Sequence, residues 1–462
     1  MSTELDYTYL APSTLEVAES MARLGLATSG GATAAGLAAH PYFFAGFVEQ
    51  PAVVAQALLV LARVARTRFY VPPNTLAAVL RAADPVVTAT AEGLRFESFS
   101  VCCGVYARLD VDAAALDVYH LATGVTNVDV NPPLRQALAG LRGSEPLHLN
   151  VGSDALRVTT QEGTVVEEKV TLPTRWLKGF AETQMLAAGM GLRDELDGAG
   201  ARQFVQALPR HSATKTVMWA TRAARGLRLA SQPGAGAVCV AGPERLRVIE
   251  PLLRHATGLR AWGPEAQAGS LPMASAWVLE LPGGRLTVGL SPEKARGFSG
   301  EGAVLHALSG AQVSEDADTV STLLSFEPRI DVPALAGEIG IGAGRVTAAL
   351  GLLASSGQVG YDLAAGAYFH RPLPVRADAL EALHPRLADA RALVAGGAVT
   401  LISANAARVH SGGIDHDVRL APDPAHDACT CPWWAKYRGT RGPCKHVLAA
   451  RMAVGDQGSA PQ

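Results

Sequence analysis

Cysteine is rare in this chain: six residues in 462. That density does not build a disulfide scaffold. Cys102, Cys103 and Cys239 therefore read as small core residues. Charge of one sign is also missing. Forty Lys and Arg face 42 Asp and Glu, a net charge of −2, so no overall field draws in a polyanion. Any basic surface must be local. Lysine itself is scarce, six residues against 34 arginines. Aromatic residues make up only 6% of the chain, which sets off the adjacent Trp433 and Trp434. Long apolar runs are absent too. The greasiest stretch, PAVVAQALLVLARVARTRF at 51–69, is broken by Gln56, Arg63, Arg66 and Arg68 and is too short to span a bilayer. Its Val53, Ala57, Leu58, Leu61 and Val64 recur at helical spacing and predict a buried helix. The opening MSTELDYTYLAPS has no apolar secretory core. No membrane association and a cytoplasmic location are expected. The glycine-rich GLATSGGATAAG lacks the Gly-Lys-Ser/Thr that grips phosphates.

What is present is a hydrophobic fraction of 48% in a chain too long for one ordinary core. The pattern predicts an α+β multidomain protein. Residues 1–90 read as a helical N-terminal region. Residues 91–200 and 201–315 read as two duplicated α+β lobes. The run LRFESFSVCCGVYARLDV from Leu94 is echoed by LRLASQPGAGAVCVAGPE from Leu227, and HLATGV from His120 by HATGL from His255. Residues 316–376 predict three short helices and a hairpin, the order of a winged helix-turn-helix. Asp331 is placed as an N-cap, with Pro333 in the first turn. Its third helix offers Arg345, Thr347, Ser355 and Ser356, and its hairpin Arg371 and His370, a thin set for reading a DNA groove. A helical linker at 377–395, a metal-bound unit at 396–455 and a disordered tail at 456–462 complete the chain.

Three of the six cysteines fall within CTCPWWAKYRGTRGPCKH, residues 429–446. Cys429 and Cys431 stand two apart, so in extended backbone they face one side. Pro432 keeps Cys431 out of the helical region. Cys444 and His446 converge only if Cys444 precedes a helix and His446 opens it, because residues two apart on a helix diverge. Three thiolates and an imidazole make a closed tetrahedral set for one structural Zn²⁺. Strand-like runs at 398–410 and 413–423 come first, so the unit is expected to be ββα. His410, His416 and His426 are off-pattern and read as surface or strand residues.

Cys-x-Cys, twelve residues, then Cys-x-His running into PCKHVLAA resembles the SWIM zinc finger. The resemblance covers about residues 395–455. It implies a module that binds DNA or proteins. The LGLATSGG segment near the start and the overall layout are similar to stand-alone bacterial SWIM proteins. Some of these are encoded beside AAA+ ATPases and von Willebrand A-domain proteins, which implies a protein adaptor as the alternative role.

A zinc site with no open position is structural rather than catalytic. Cys102–Cys103 lies in a strand-like run, and His120 and His255 occupy matching places that suit packing. A non-enzyme is therefore expected, binding DNA or a single strand of nucleic acid. The candidate contact residues are Trp433, Trp434, Lys436, Tyr437, Arg438, Arg441 and Lys445. The rings could stack on bases or form the finger's own core, and Lys445 could instead donate to a thiolate.

Overall fold

The computed structural model describes residues 5–9, 12–18, 21–70, 84–128, 130, 132–141, 146–152, 169–172, 174–224, 226–298, 302, 305, 311–373, 385–422, 424–439 and 441–458. It has mixed α/β content with several sheets. Among the described residues no helix is long and apolar enough to cross a membrane.

The expected helical N-terminal region is corrected. The described residues of 1–90 hold strands at Leu5–Thr8, Thr14–Ala18, Met21–Leu26, Gly31–Thr33, Gly36–Ala38 and Phe44–Val48, and one helix, Pro51–Arg66, before the Val86–Thr90 strand. Buried Ala22, Leu24 and Leu26 alternate with more exposed neighbours along Met21–Leu26, which is strand period rather than helix period. Ala and Gly at many positions dilute that alternation. The strands are also completed from far away: Met21–Leu26 pairs in parallel with Leu147–Val151. Within this region Pro51–Arg66 forms as its spacing requires, with ten buried residues. Val54, Leu58 and Leu61 are among them, each worth on the order of 1.5–3 kcal/mol on burial.

Ten strands form one continuous sheet. Their order is Gly191–Asp197, Gly258–Gly263, Ser275–Leu281, Gly284–Leu290, Val105–Asp112, Gly93–Phe99, Val86–Thr90, Gly124–Asn127, Gly31–Thr33 and Gly36–Ala38. Gly284–Leu290 pairs antiparallel with Val105–Asp112 over seven residue pairs, so a single ladder runs across the middle of the chain. The expected boundary at 90/91 falls in the turn of a hairpin, and that at 200/201 inside the Gly198–Ala207 helix. Sequence similarity between two stretches does not reveal that their edges share hydrogen bonds.

Residues 311–370 form helices Ala311–Leu323, Val332–Ile339 and Ala343–Ser355, then the hairpin Val359–Asp362 and Ala367–His370. Asp331 caps the second helix by accepting from the Ala334 N–H at 2.9 Å. Gly340 closes that helix in the left-handed region, φ 78°. Val320, Leu335, Val346, Leu350 and Val359 share one core. The hairpin is bolted to the long sheet by charge. Asp362 receives Arg95 at 2.8 Å, Arg108 at 3.0 Å and Arg285 at 2.6 Å, and Asp110 receives Arg95 and Arg108. Burial alone would raise the carboxyl of Asp362; the three guanidiniums override it and hold it far below the usual range. Arg371 and His370, which the sequence offered to DNA, are both buried. Arg371 pairs with Glu97, and His370 Nδ1 accepts from the Phe326 N–H at 2.8 Å.

The C-terminal unit departs from ββα. The run at 398–410 turns at Ala404–Asn405, giving strands Val399–Ser403, Ala406–Ser411, Ile414–Arg419 and Ala428–Cys429 in one four-stranded sheet. Helix Pro385–Ala395 precedes it; residues 377–384 of the expected linker lie outside the described residues. The closing helix runs from Lys445 to Gly458, so residues 456–458 are helical rather than tail, and 459–462 lie outside the described residues.

Candidate metal centre

Cys429 ends a two-residue strand paired to Ile414–Arg419 through Val418. Cys431 remains extended, φ −71° and ψ 157°, and caps the short Pro432–Tyr437 helix. Pro432 makes this the first turn, as proline at that position favours. Cys444 stands just before the closing helix, and His446 lies in its first turn. The sequence spacing is thus met by two helix N-termini and one strand end. All four side chains are buried.

Their ligand atoms lie within 4.8 Å of one another. His446 Nδ1 is 3.8 Å from Cys429 Sγ and 4.0 Å from Cys444 Sγ. A tetrahedral zinc with sulfur at about 2.3 Å and nitrogen at about 2.1 Å holds such atoms about 3.6 Å apart. The donor set therefore fits one Zn²⁺, with Nδ1 as the imidazole ligand. Backbone N–H groups of Cys431, Trp434 and Val447 donate to Cys429, Cys431 and Cys444 sulfur at 3.4, 3.4 and 3.5 Å. They favour thiolate, as does the positive end of each helix. Without a cation the three thiols cannot all ionise. Cys431 accepts from Cys429 and from Cys444 and is pushed far down, while the Cys429 thiol, donating to Cys431, is pushed far up. A divalent cation relieves that conflict.

The structure sorts the expected contact residues. Lys445 does not donate to sulfur; its Nζ reaches Asp389 at 3.4 Å. Trp433 and Trp434 are half-buried and pack on the finger's own core, so the internal role applies to both. Trp433 lies under the Arg386 guanidinium, 4.7 Å from ring centroid, and against Tyr437 at 4.4 Å. Lys436 and Arg438 are exposed on either side of the half-buried Tyr437. Lys436 donates to the Tyr437 hydroxyl, and together with Arg441 and Arg296 it holds that hydroxyl below its usual range. Arg441 places its guanidinium 4.5 Å over the Tyr437 ring.

One neighbour of the site was not anticipated. His416 is 8% exposed, and its ring lies tilted by 32° against that of His446, with centroids 4.2 Å apart. The sequence offered only half of this: His416 precedes Val418 by two on a strand, so the two share a face, and the fold then pairs Val418 with Cys429. His410 stays on the surface beside Asp415, and His426 is exposed. Elsewhere, Cys103 is buried and donates to the Arg175 carbonyl at 3.4 Å, and Cys239 is buried with its thiol pushed up to about 11 by burial. His120 stacks on Tyr42 at 4.6 Å.

Residues 416–454 match the family model described as the SWIM zinc finger. With the geometry above, this segment is a SWIM zinc finger, a binding module holding one structural zinc. No curated protein matches the chain. Among solved structures, the chain is similar to proliferating cellular nuclear antigen from Entamoeba histolytica. Identity there is 10%, over 54% of this chain and 99% of that one, with TM-score 0.33. It is also similar to the PCNA2–PCNA3 complex from Sulfolobus tokodaii, at 8% identity over 55% and 100% of the two chains, with TM-score 0.31.

Proposed function

We propose that the chain is a non-enzymatic DNA-binding protein whose contact loop is shaped by the zinc. The observation that carries this reading is the exposure of Lys436 and Arg438 on either side of Tyr437, on a segment anchored at both ends by metal ligands. Cations on a fixed loop meet phosphates, and a partly exposed ring can meet a base. With four protein ligands the metal has no open position for a substrate, which supports binding rather than catalysis.

The rest of the architecture serves this reading as scaffold. Residues 311–370 are read as a winged helix used for packing. Arg345 on its third helix is engaged twice by Asp316, and the hairpin's charges are sunk in the long sheet. The middle of the chain is read as duplicated lobes. Strand, helix, three strands, a 3-10 segment and a closing strand recur in order, and the closing strand pairs with the first in each copy: Leu116–Leu121 with Phe44–Val48, and Gly258–Gly263 with Gly191–Asp197. The lobes so defined start earlier than the sequence echo implied. A protein adaptor for an AAA+ ATPase or a von Willebrand A-domain partner is the second reading. It is favoured by Ile402 and Ile414, 59% and 61% exposed on the finger's sheet.

The test is titration of the zinc-loaded chain with labelled single- and double-stranded DNA at two salt concentrations. Lys436→Ala/Arg438→Ala is expected to weaken binding and flatten the salt slope by about one to two, with zinc unchanged. A parent chain that does not bind DNA refutes the reading in favour of the adaptor.

A further inference from the structure

The finger is not a free appendage. Ala181 of helix Thr174–Ala188, Leu387 and Ala390 of helix Pro385–Ala395, and Leu448 and Ala449 of the closing helix share one core. Arg386 clasps the finger's insert, donating to the carbonyls of Arg441 at 2.8 Å and Pro443 at 2.9 Å while its guanidinium covers Trp433. A Cβ on Gly302 would meet the Arg441 carbonyl oxygen, so the insert also lies directly against the chain that follows the second lobe.

This docking gathers cations from separate parts of the sequence. Lys178 lies one turn before Ala181. It is half-buried, and burial and the neighbouring Arg386 both disfavour its charge, with Glu182 opposing them. Arg296 is felt at Tyr437 together with Lys436 and Arg441, and it also lies 3.6 Å from Glu293. Glu182 offsets part of the cost of holding like charges in partly buried ground.

Two donors in the same seam lack acceptors. Trp433 Nε1 and Arg441 Nε are both buried with no hydrogen-bond partner among the described residues. Each is a donor and nothing else, and a buried donor left unmade costs free energy. Both needs are met by an oxygen anion.

We propose that the seam between the finger's insert and the helix pair carrying Lys178 and Arg386 is a phosphate subsite. In it the backbone of a single DNA strand accepts from Trp433 Nε1 and Arg441 Nε. The inference rests on the DNA-binding reading and extends the contact from the exposed loop onto the body. Lys178 supplies long-range charge, and Arg386 positions the insert.

The experiment uses the full zinc-loaded chain and a short fluorescein-labelled oligothymidylate, read by anisotropy across a salt series. Lys178→Gln is expected to flatten the salt slope by about one. Trp433→Phe keeps a ring beneath Arg386 but removes the donor, and is expected to weaken binding about tenfold. Inorganic phosphate at matched ionic strength is expected not to displace the oligonucleotide. If it does so readily, the subsite serves a free anion and the assignment to a DNA backbone falls. If Trp433→Phe lowers zinc content or the melting temperature, Lys178→Gln alone decides. Should Lys178→Gln bind like the parent while Lys436→Ala/Arg438→Ala binds weakly, the seam is refuted and the loop reading stands. Should the parent fail to bind any DNA, both fall.

Discussion

Arg371 Nη1 lies 2.7 Å from Glu97 Oε2, and neither side chain has any exposure to solvent. The two residues are 274 positions apart. Glu97 also accepts the Tyr106 hydroxyl at 2.6 Å, and the guanidinium rests 4.4 Å over Phe180. Removing either charge strands the other in the interior, a loss of about 3–5 kcal/mol. Arg371→Met and Glu97→Gln are each expected to lower the urea midpoint accordingly. The double variant Arg371→Met/Glu97→Gln is expected to recover part of the loss. A double variant that loses the full sum of the two single losses would show that the pair does not act as a unit.

Acid should loosen the same junction in two stages. His370 is held at about 4 instead of 6.5, first by burial, against the opposing pull of Glu327. Its Nδ1 accepts from the Phe326 N–H, which requires the neutral ring. A histidine depressed in the folded state contributes stability that is complete above about 6.5 and lost as pH falls toward about 4. The gap corresponds to about 3 kcal/mol. His370→Asn retains an acceptor but does not titrate, and is expected to remove this slope in denaturant melts between pH 7 and 4. Asp362 and Asp110 are held low by the surrounding guanidiniums. Their share is present above about 3.8 and disappears only at more acid pH.

Zinc removal should act locally. Binding free energy at a four-ligand site is folding free energy of the unit around it. Cys444→Ser, or a strong chelator, is expected to reduce bound zinc from one per chain to well under one. The 396–458 segment should then open to proteolysis, while the long sheet, with its separate core, keeps its protection. Simultaneous loss of both would show that the finger's docking through Ala181 and Leu387 controls the whole chain. Bound zinc near one in Cys444→Ser would remove Cys444 from the ligand set.

The metal site was legible because its logic is local. Spacings of two, prolines after Cys431 and before Cys444, and a helix with His446 in its first turn are facts of one short contiguous run, and the geometry obeys them. The N-terminal strands were not legible, because Met21–Leu26 takes a partner more than a hundred residues away. A six-residue strand offers too few alternations to stand out on its own. Nor could sequence show that Asp362 and Arg371 face inward: a charged residue in a predicted hairpin looks solvated until its partners, Arg95, Arg108, Arg285 and Glu97, are brought in by the fold. Trp433 and Trp434 fell between the two cases. A small unit needs large apolar groups, and their ring packing confirms that need. The cover that Arg386 gives the Trp433 ring lies outside the motif and was not legible from it.

Arg438 is where loop geometry and DNA binding should come apart. It ends the Pro432–Tyr437 helix in the left-handed region, φ 44° and ψ 46°, with its N–H bonded to the Trp434 carbonyl at 2.7 Å. A side chain there carries a penalty of about 1–2 kcal/mol that glycine does not, offset by the entropy glycine loses on folding. Helices that end in this conformation usually place glycine here, and in this chain Gly439 follows with φ 79°. An arginine where glycine fits better motivates the hypothesis that its side chain makes a contact. Arg438→Gly is expected to stabilise the zinc-loaded finger by up to about 1 kcal/mol in thermal or urea melts. It is also expected to weaken DNA binding and reduce its salt slope by about one. Arg438→Ala separates the two effects, because it removes the guanidinium and keeps the backbone penalty. A glycine variant that is more stable and binds DNA as the parent does would assign Arg438 to neither phosphate nor base. The contact would then lie with Lys436, Tyr437 and the seam behind them.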